Sequence, residues 1–208
     1  KTPAIGPLNE RQSEYIDHIS TSSSVLLTIV NDILDLATVD AGIMRLDYSD
    51  IDLADLLDDV SMQMTDRLQE SNVSLEIAAA ARLGHIVADQ QRLKQILIKI
   101  LTNAVNFAPE GSAIELKCWR EDADFVFTVH DNGCGMSKDM LATVFNRFST
   151  SGKVGKRSGA GLGLSIVESF VNLHNGTVSI DSEPGQGTTV ACRIPSAIGK
   201  PQAIAAAQ

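Results

Sequence analysis

The stretch DQQRLKQILIKILTNAVNFAPEG, residues 89–111, decides how the rest of the chain is read. Asp89 is a good N-cap, because its short side chain accepts an amide that lacks a partner in the first helical turn. Pro109 and Gly111 stop the helix that it opens, so the pattern predicts a helix running to Phe107. Leu93, Leu97, Ile100, Leu101 and Ala104 recur at helical spacing and form the face to be buried. Lys99, Asn103 and Asn106, four and three residues apart, share the opposite face. A polar stripe of this kind is often only solvated. Here three glycine clusters further along the chain give it something to face.

Those clusters are DNGCG (131–135), GAGLG (159–163) and GQGTT (185–189). Any one of them alone reads as an ordinary turn. DNGCG directly follows a predicted strand, where glycine lets the backbone approach a ligand closely. Asp131, at that strand's end, can accept a hydrogen bond from an exocyclic amine such as that of adenine. It also suits turn initiation. GAGLG opens a helix, and free amides at a helix N-terminus favour a phosphate. No G-K-[ST] follows, so this is not a Walker loop. The place of the glycines in the chain also differs from a dinucleotide-binding βαβ unit. The Asn103 carbonyl is a hard oxygen ligand suited to Mg²⁺ shared with phosphate oxygens. Lys153, Lys156 and Arg157 lie in a Gly-, Ser- and Lys-rich segment, 149–160, that reads as mobile, and they can balance phosphate charge.

Working outward, residues 9–41 read as one long helix carrying an apolar stripe of Ile16, Ile19, Leu26, Val30, Ile33 and Ala37, with Gly42 as its stop. A stripe so narrow on a helix so long calls for a partner helix in a hairpin or dimeric bundle. An edge strand at 45–51, a helix at 52–69 and short strands at 73–78 and 85–88 precede the central helix. Strands at 113–119 and 124–130, a short helix at 138–146 and a helix from 162 to 173 follow it. A hairpin around PGQG closes the domain, and 197–208 reads as a disordered tail. The order gives an α+β fold, a two-layer α/β sandwich preceded by a long helix, and not a doubly wound parallel sheet.

Composition sets outer limits. Of 208 residues, 44% are apolar, enough for a core. The net charge of −9 argues against nucleic acid as a partner. The acidic run from Asp47 to Asp59 reads as a solvated helix face and its flanks. No apolar run approaches the roughly 18 residues that a membrane span requires. Cys118, Cys134 and Cys192 have no metal spacing and read as reduced thiols of a cytoplasmic protein.

Taken together, these motifs resemble the catalytic, ATP-binding domain of bacterial sensor histidine kinases, of the Bergerat (GHKL-type) fold shared with gyrase and Hsp90. The resemblance covers roughly residues 45–195, and 9–42 resemble the second helix of the dimerisation and phosphoacceptor hairpin. DQQRLKQILIKILTNAVNFAPEG resembles the N box, DNGCGM and SGAGLGLSIV the glycine boxes, FNRF (145–148) the F box, and EPGQGTTV the last strand turn. The resemblance implies domains at 1–43, a partial hairpin, and 44–196, the kinase domain. It implies that Asp131 binds adenine and Asn103 holds Mg²⁺. Asn106, Gly133, Gly135, Gly159, Gly161, Leu162 and Gly163 would shape the ATP pocket. Thr188 or Thr189 would support the adenine end through a hydroxyl, and Phe145 and Phe148 would anchor the lid. The implied partners are a response-regulator receiver domain and a second copy of the chain. No direct membrane contact is expected of these residues.

Two positions depart from the family pattern. Lys99 stands where the N box usually has Asn, and Asn106 where it usually has Lys or Arg. The two lie roughly 10 Å apart along the helix, so the exchange is not neutral. Lys99 also occupies the place of the water-activating glutamate of the ATPase branch, which argues against gyrase-like hydrolysis. As catalytic candidates only Lys99 and Asn103 remain. None of His18, His85, His130 and His174 matches the family's phosphoacceptor, which is expected upstream on the first hairpin helix. An alternative reading follows: a regulator of the DivL type, which binds a response regulator or partner kinase without its own phosphotransfer.

Overall fold

The structure is a computed structural model in which residues 6, 8–79, 83–149 and 160–196 are described. Lys153, Lys156, Arg157, Gly159 and the expected tail at 197–208 lie outside the described residues.

The first element, α1 (Glu10–Asp40), opens on a capping box: the Asn9 side chain accepts the Gln12 amide, and the Gln12 side chain accepts that of Asn9. Gly42, with φ of +65°, follows its end. Most of α1 is exposed, including Ile16, Ile19, Leu26, Val30 and Ile33, and only Asp32 and Leu36 are buried. By length and composition α1 passes as a membrane span, with a mean hydropathy of 1.4 in its most apolar window. The sequence expectation of no such stretch is corrected here. Serines and threonines, not charges, fill the polar positions of residues 20–28, so the average stays high.

β1 (Tyr48–Asp52) pairs antiparallel with β3 (His85–Asp89), and between them lie α2 (Leu53–Ser71) and β2 (Ser74–Ala79). α3 (Gln90–Phe107) is the expected central helix. Asp89 caps it by accepting the Arg92 amide at 3.0 Å. Seven of its side chains are buried, from Leu93 to Val105. Truncating one of them, for example Ile100→Ala, costs about 2–5 kcal/mol. β4 (Ala113–Glu121), β5 (Asp124–Asp131), α4 (Lys138–Leu141), α5 (Gly163–Leu173), β6 (Thr177–Ser182) and β7 (Thr188–Pro195) complete the described elements.

The main sheet runs β2-β4-β5-β7-β6. β2 lies parallel to β4, and the other pairs are antiparallel. Alternation decides its faces. Ile114, Leu116 and Cys118 of β4, Phe125, Phe127 and Val129 of β5, and Val190, Cys192 and Ile194 of β7 all join the core. α2, α3 and α5 pack on that face, and the two-layer expectation holds. The acidic residues Asp47, Asp50, Asp55, Asp58 and Asp59 are exposed, as a solvated face requires.

One element is shorter than expected. The helix expected over 138–146 ends at Leu141. Beyond Ala142 the amides of Thr143, Val144 and Asn146 bond three residues back, to Met140, Leu141 and Thr143. The chain tightens into successive turns before Phe148, whose φ is +60°.

Candidate nucleotide site

Two glycine turns reach α3, one at Phe107 and one at Asn103, and the last turn packs on the first. The strand ending in Asp131 places this side chain in the core's edge, 6% exposed. Burial pushes its carboxyl above the ordinary carboxylate value, while the Gly133 and Thr188 amides and nearby His130 pull the other way. The Gly133 amide donates to Asp131 Oδ1 at 2.8 Å. Gly133 admits no larger residue: a Cβ there would lie 2.6 Å from Asp131 Oδ1 and 2.7 Å from the Phe107 carbonyl. The first glycine turn is therefore pressed against both the end of α3 and the buried acid.

The last turn closes from the other side. Gly187, at φ of +82°, packs so tightly on the Asp131 carbonyl that any side chain there would overlap it. Gly135 sits likewise against the Glu183 carbonyl. Ser182 ties the three together. Its hydroxyl donates to the Gly187 carbonyl at 2.8 Å and accepts the Met136 amide at 2.9 Å. Thr188 lies opposite Asp131 in the sheet, and its hydroxyl is 3.0 Å from that of Ser182. The Thr189 hydroxyl is 2.9 Å from His130 Nδ1.

The second glycine box brings α5 to α3. The position of a Cβ on Gly163 would be 3.5 Å from Asn103 Nδ2 and 3.7 Å from its Oδ1. The α5 N-terminus thus stands directly over Asn103, with buried Leu162 anchoring the turn in the core. Gly161 lies against the Phe148 and Ser149 backbone, so the chain leaves the described residues and re-enters them at one place. Asn103 and Asn106 are both half-buried on this face. Phe148 is 62% exposed, and Phe145 is half-buried.

Lys99 is drawn elsewhere. Its Nζ lies 2.6 Å from both Asp32 oxygens, in an ion pair that leaves the lysine side chain 17% and the aspartate 10% exposed. It belongs to a row of contacts between α1 and the rest of the domain. Arg92 donates to Asp35 at 2.9 Å and lies 4.9 Å from the Phe170 ring centroid. Gln95 donates to Asp35 at 2.9 Å, and both Arg147 nitrogens donate to Asp40 at 2.6 Å. Sequence reading missed this row. The available signal was acids at 32 and 35 near the end of an otherwise aliphatic stripe, three residues apart like Arg92 and Gln95.

Residues 88–198 match the family model described as histidine kinase-, DNA gyrase B-, and HSP90-like ATPase. The chain belongs to this family. Within it the histidine kinases are the relatives. The chain is 38% identical over 196 residues to the circadian input-output histidine kinase CikA of Synechococcus elongatus, covering 92% of this chain and 26% of CikA. It is 33% identical to the sensor protein DivL of Caulobacter vibrioides, covering 90% of this chain and 24% of DivL. The structure of full-length ShkA in complex with AMPPNP superimposes with a TM-score of 0.79 at 32% identity, covering 91% of this chain and 40% of ShkA. The chain thus spans about a quarter of the length of the curated relatives named here. It is a histidine-kinase ATPase domain of the two-component type, carrying a long N-terminal helix.

Proposed function

We propose that this domain binds Mg-ATP between α3, the glycine turns and α5. It would hold the γ-phosphoryl for transfer to a histidine of a helical hairpin completed by α1. The observation that carries the reading is the meeting of the α5 N-terminus with Asn103, one helical turn before Phe107, where Gly133 and the buried Asp131 meet α3. A neutral amide oxygen and unpaired helix amides suit a metal-bound polyphosphate, and a buried acceptor suits an adenine amine. Gly133 also holds the first turn against the end of α3, since a Cβ there would meet Asp131 Oδ1 and the Phe107 carbonyl.

Each residue then has a task. Asp131 accepts from the adenine amine. Asn103 contributes an oxygen to Mg²⁺, which when bound neutralises charge on the phosphate oxygens. Gly161, Leu162 and Gly163 offer amides at the helix N-terminus, and the charges of Lys153, Lys156 and Arg157 would balance those of the phosphates, with Gly159 in the same glycine box. Asn106 lines the same face of α3. Gly135 keeps the first turn close to the last. Thr188 supports Asp131 through the strand pairing, and Thr189 through His130. The imidazole nitrogen attacks the γ-phosphorus, the bond to the bridging oxygen breaks, and ADP leaves. Catalysis here is positioning and charge stabilisation. The phosphoryl group then passes to an aspartate of a response-regulator receiver domain.

The exposed stripe of α1 supports a dimer in which helices of a second copy cover it. Charged contacts from Asp32, Asp35 and Asp40 to this domain favour a cytoplasmic helix over a membrane span. Light scattering is expected to report a dimer once the first hairpin helix is present.

A phosphotransfer assay tests the main reading. The chain is incubated with γ-labelled ATP and a histidine-bearing hairpin whose second helix has the α1 sequence. Acid-labile, alkali-stable label on the hairpin is the expected result. A hairpin that stays unlabelled while binding the chain favours the second reading, a DivL-type regulator. Lys99 paired to Asp32 and Asn106 in a position usually cationic are the observations that favour it.

A further inference from the structure

We propose that Lys99 is a positioning residue shared between two anions, the Asp32 carboxylate of α1 and the phosphate end of the bound nucleotide. Docking of α1 and binding of nucleotide would then oppose each other. The inference rests on the nucleotide reading above and deepens it.

The geometry is specific. Lys99 and Asn103 lie one helical turn apart on the same face of α3, roughly 6 Å along its axis. Asn103 faces the α5 N-terminus. Lys99 faces α1, with its Nζ equidistant from the two Asp32 oxygens at 2.6 Å. This is the side toward which a γ-phosphoryl must project if it is to reach a helical hairpin. The pair is largely shielded from solvent, so its charges are weakly screened. A polyphosphate bound at Asn103 brings negative charge within about two helical turns of Asp32, close enough for the Lys99 ammonium to be worth about tenfold in affinity when it turns to the phosphates. While Lys99 neutralises Asp32, it is withheld from the phosphates. Once α1 moves away, the same ammonium is free to reach them.

Asp32 has no other cation described within pairing distance. The neighbouring acid Asp35 has its own partners in Arg92 and Gln95. Exchange of Lys99 between two anions therefore leaves the rest of the row intact. The arrangement also accounts for the departure at this position. Asparagine, the usual residue there, has no charge to divide between helix and nucleotide. Coupling of this kind is reciprocal: whatever docking costs nucleotide affinity, nucleotide costs docking.

The test is a double-mutant cycle on the full chain, with binding of Mg-AMPPNP measured by calorimetry and α1 followed by amide exchange. Asp32→Asn is expected to tighten binding about tenfold. In the Lys99→Met background, where no ammonium is released to the phosphates, the same substitution is expected to change affinity less than twofold, giving a measurable coupling. Nucleotide is expected to speed exchange in residues 28–40 of the unsubstituted chain, and not in Lys99→Met. A mere structural tie would not give that nucleotide dependence. Equal affinities for the unsubstituted chain and Asp32→Asn, with exchange in α1 indifferent to nucleotide, overturn the inference while leaving the site reading intact. No binding to any variant, Asn103→Ala being indistinguishable from the rest, overturns the site reading and the inference together.

Discussion

Asp131 Oδ1 accepts the Gly133 amide at 2.8 Å, so the acid at the base of the candidate pocket is fixed in orientation by the backbone of its own turn. The carboxylate has lone pairs to spare after that bond. Asparagine has only one oxygen, which the Gly133 amide holds in place, and its NH₂ would then confront the amine of adenine.

For Asp131→Asn, nucleotide affinity is expected to fall by tenfold or more, since a mismatched buried polar pair costs about 1–3 kcal/mol. Thermal stability of the ligand-free chain is expected to hold or rise. Burial raises the Asp131 carboxyl above its ordinary value, which means that the charged form is disfavoured in the fold. Calorimetric titration and a melting curve on the same sample check both halves. A variant that binds as before contradicts the assignment.

His174 gives the fold a pH dependence. Its Nδ1 donates to the Phe170 carbonyl at 2.8 Å, and its Nε2 accepts the Asp89 amide at 3.2 Å, which only a neutral ring can do. Burial holds its pKa below the ordinary 6.5. The unfolded chain therefore takes up this proton first. The contribution is complete above the unfolded value and is lost as the pH falls below it toward the lowered folded value. Urea midpoints at pH 7.5 and 5.5 are expected to differ less in His174→Gln than in the unsubstituted chain.

The three thiols are expected to differ sharply in reactivity. Burial pushes Cys118 and Cys192 up to about 12, whereas Cys134 is exposed within the first glycine turn. Maleimide should label native protein at Cys134, and the other two only after denaturation, as peptide mapping would show. Fast native labelling of Cys118 would mean that the sheet opens far more readily than its packing implies.

Arg92 joins α1 to the domain through Asp35 and lies over Phe170. Arg92→Ala is expected to cost about 1–2 kcal/mol and to raise amide exchange in the last turns of α1. The melting transition and exchange at residues 32–40 report it. Unchanged exchange would show that α1 is held by Leu36 packing instead.

The sequence reading succeeded where one segment's own pattern settles the outcome. The Asp89 cap, the two faces of α3 and the alternation of β4, β5 and β7 are all local, and each appears as read. It was weaker where two segments must find each other. Nothing within VSLEIA says that it lies parallel to β4, and nothing within α1 says that Asp32 meets Lys99. Periodicity places a residue on a face without naming what that face touches. The polar stripe of α3 shows this well. Its spacing sets three residues on one face, yet its first member turns to an acid 67 residues earlier, while Asn103 lies beside the α5 N-terminus. Helix 138–146 failed for another reason: propensity carried it past Leu141, where the turns leading to Phe148 take over.

Titration of the chain with AMPPNP in the presence of Mg²⁺, beside the Asn103→Ala variant, tests the central claim most directly. The account predicts saturable one-to-one binding that weakens when the metal is chelated and is lost in the variant. Binding that is indifferent to both metal and Asn103 would contradict it, as would no binding at all.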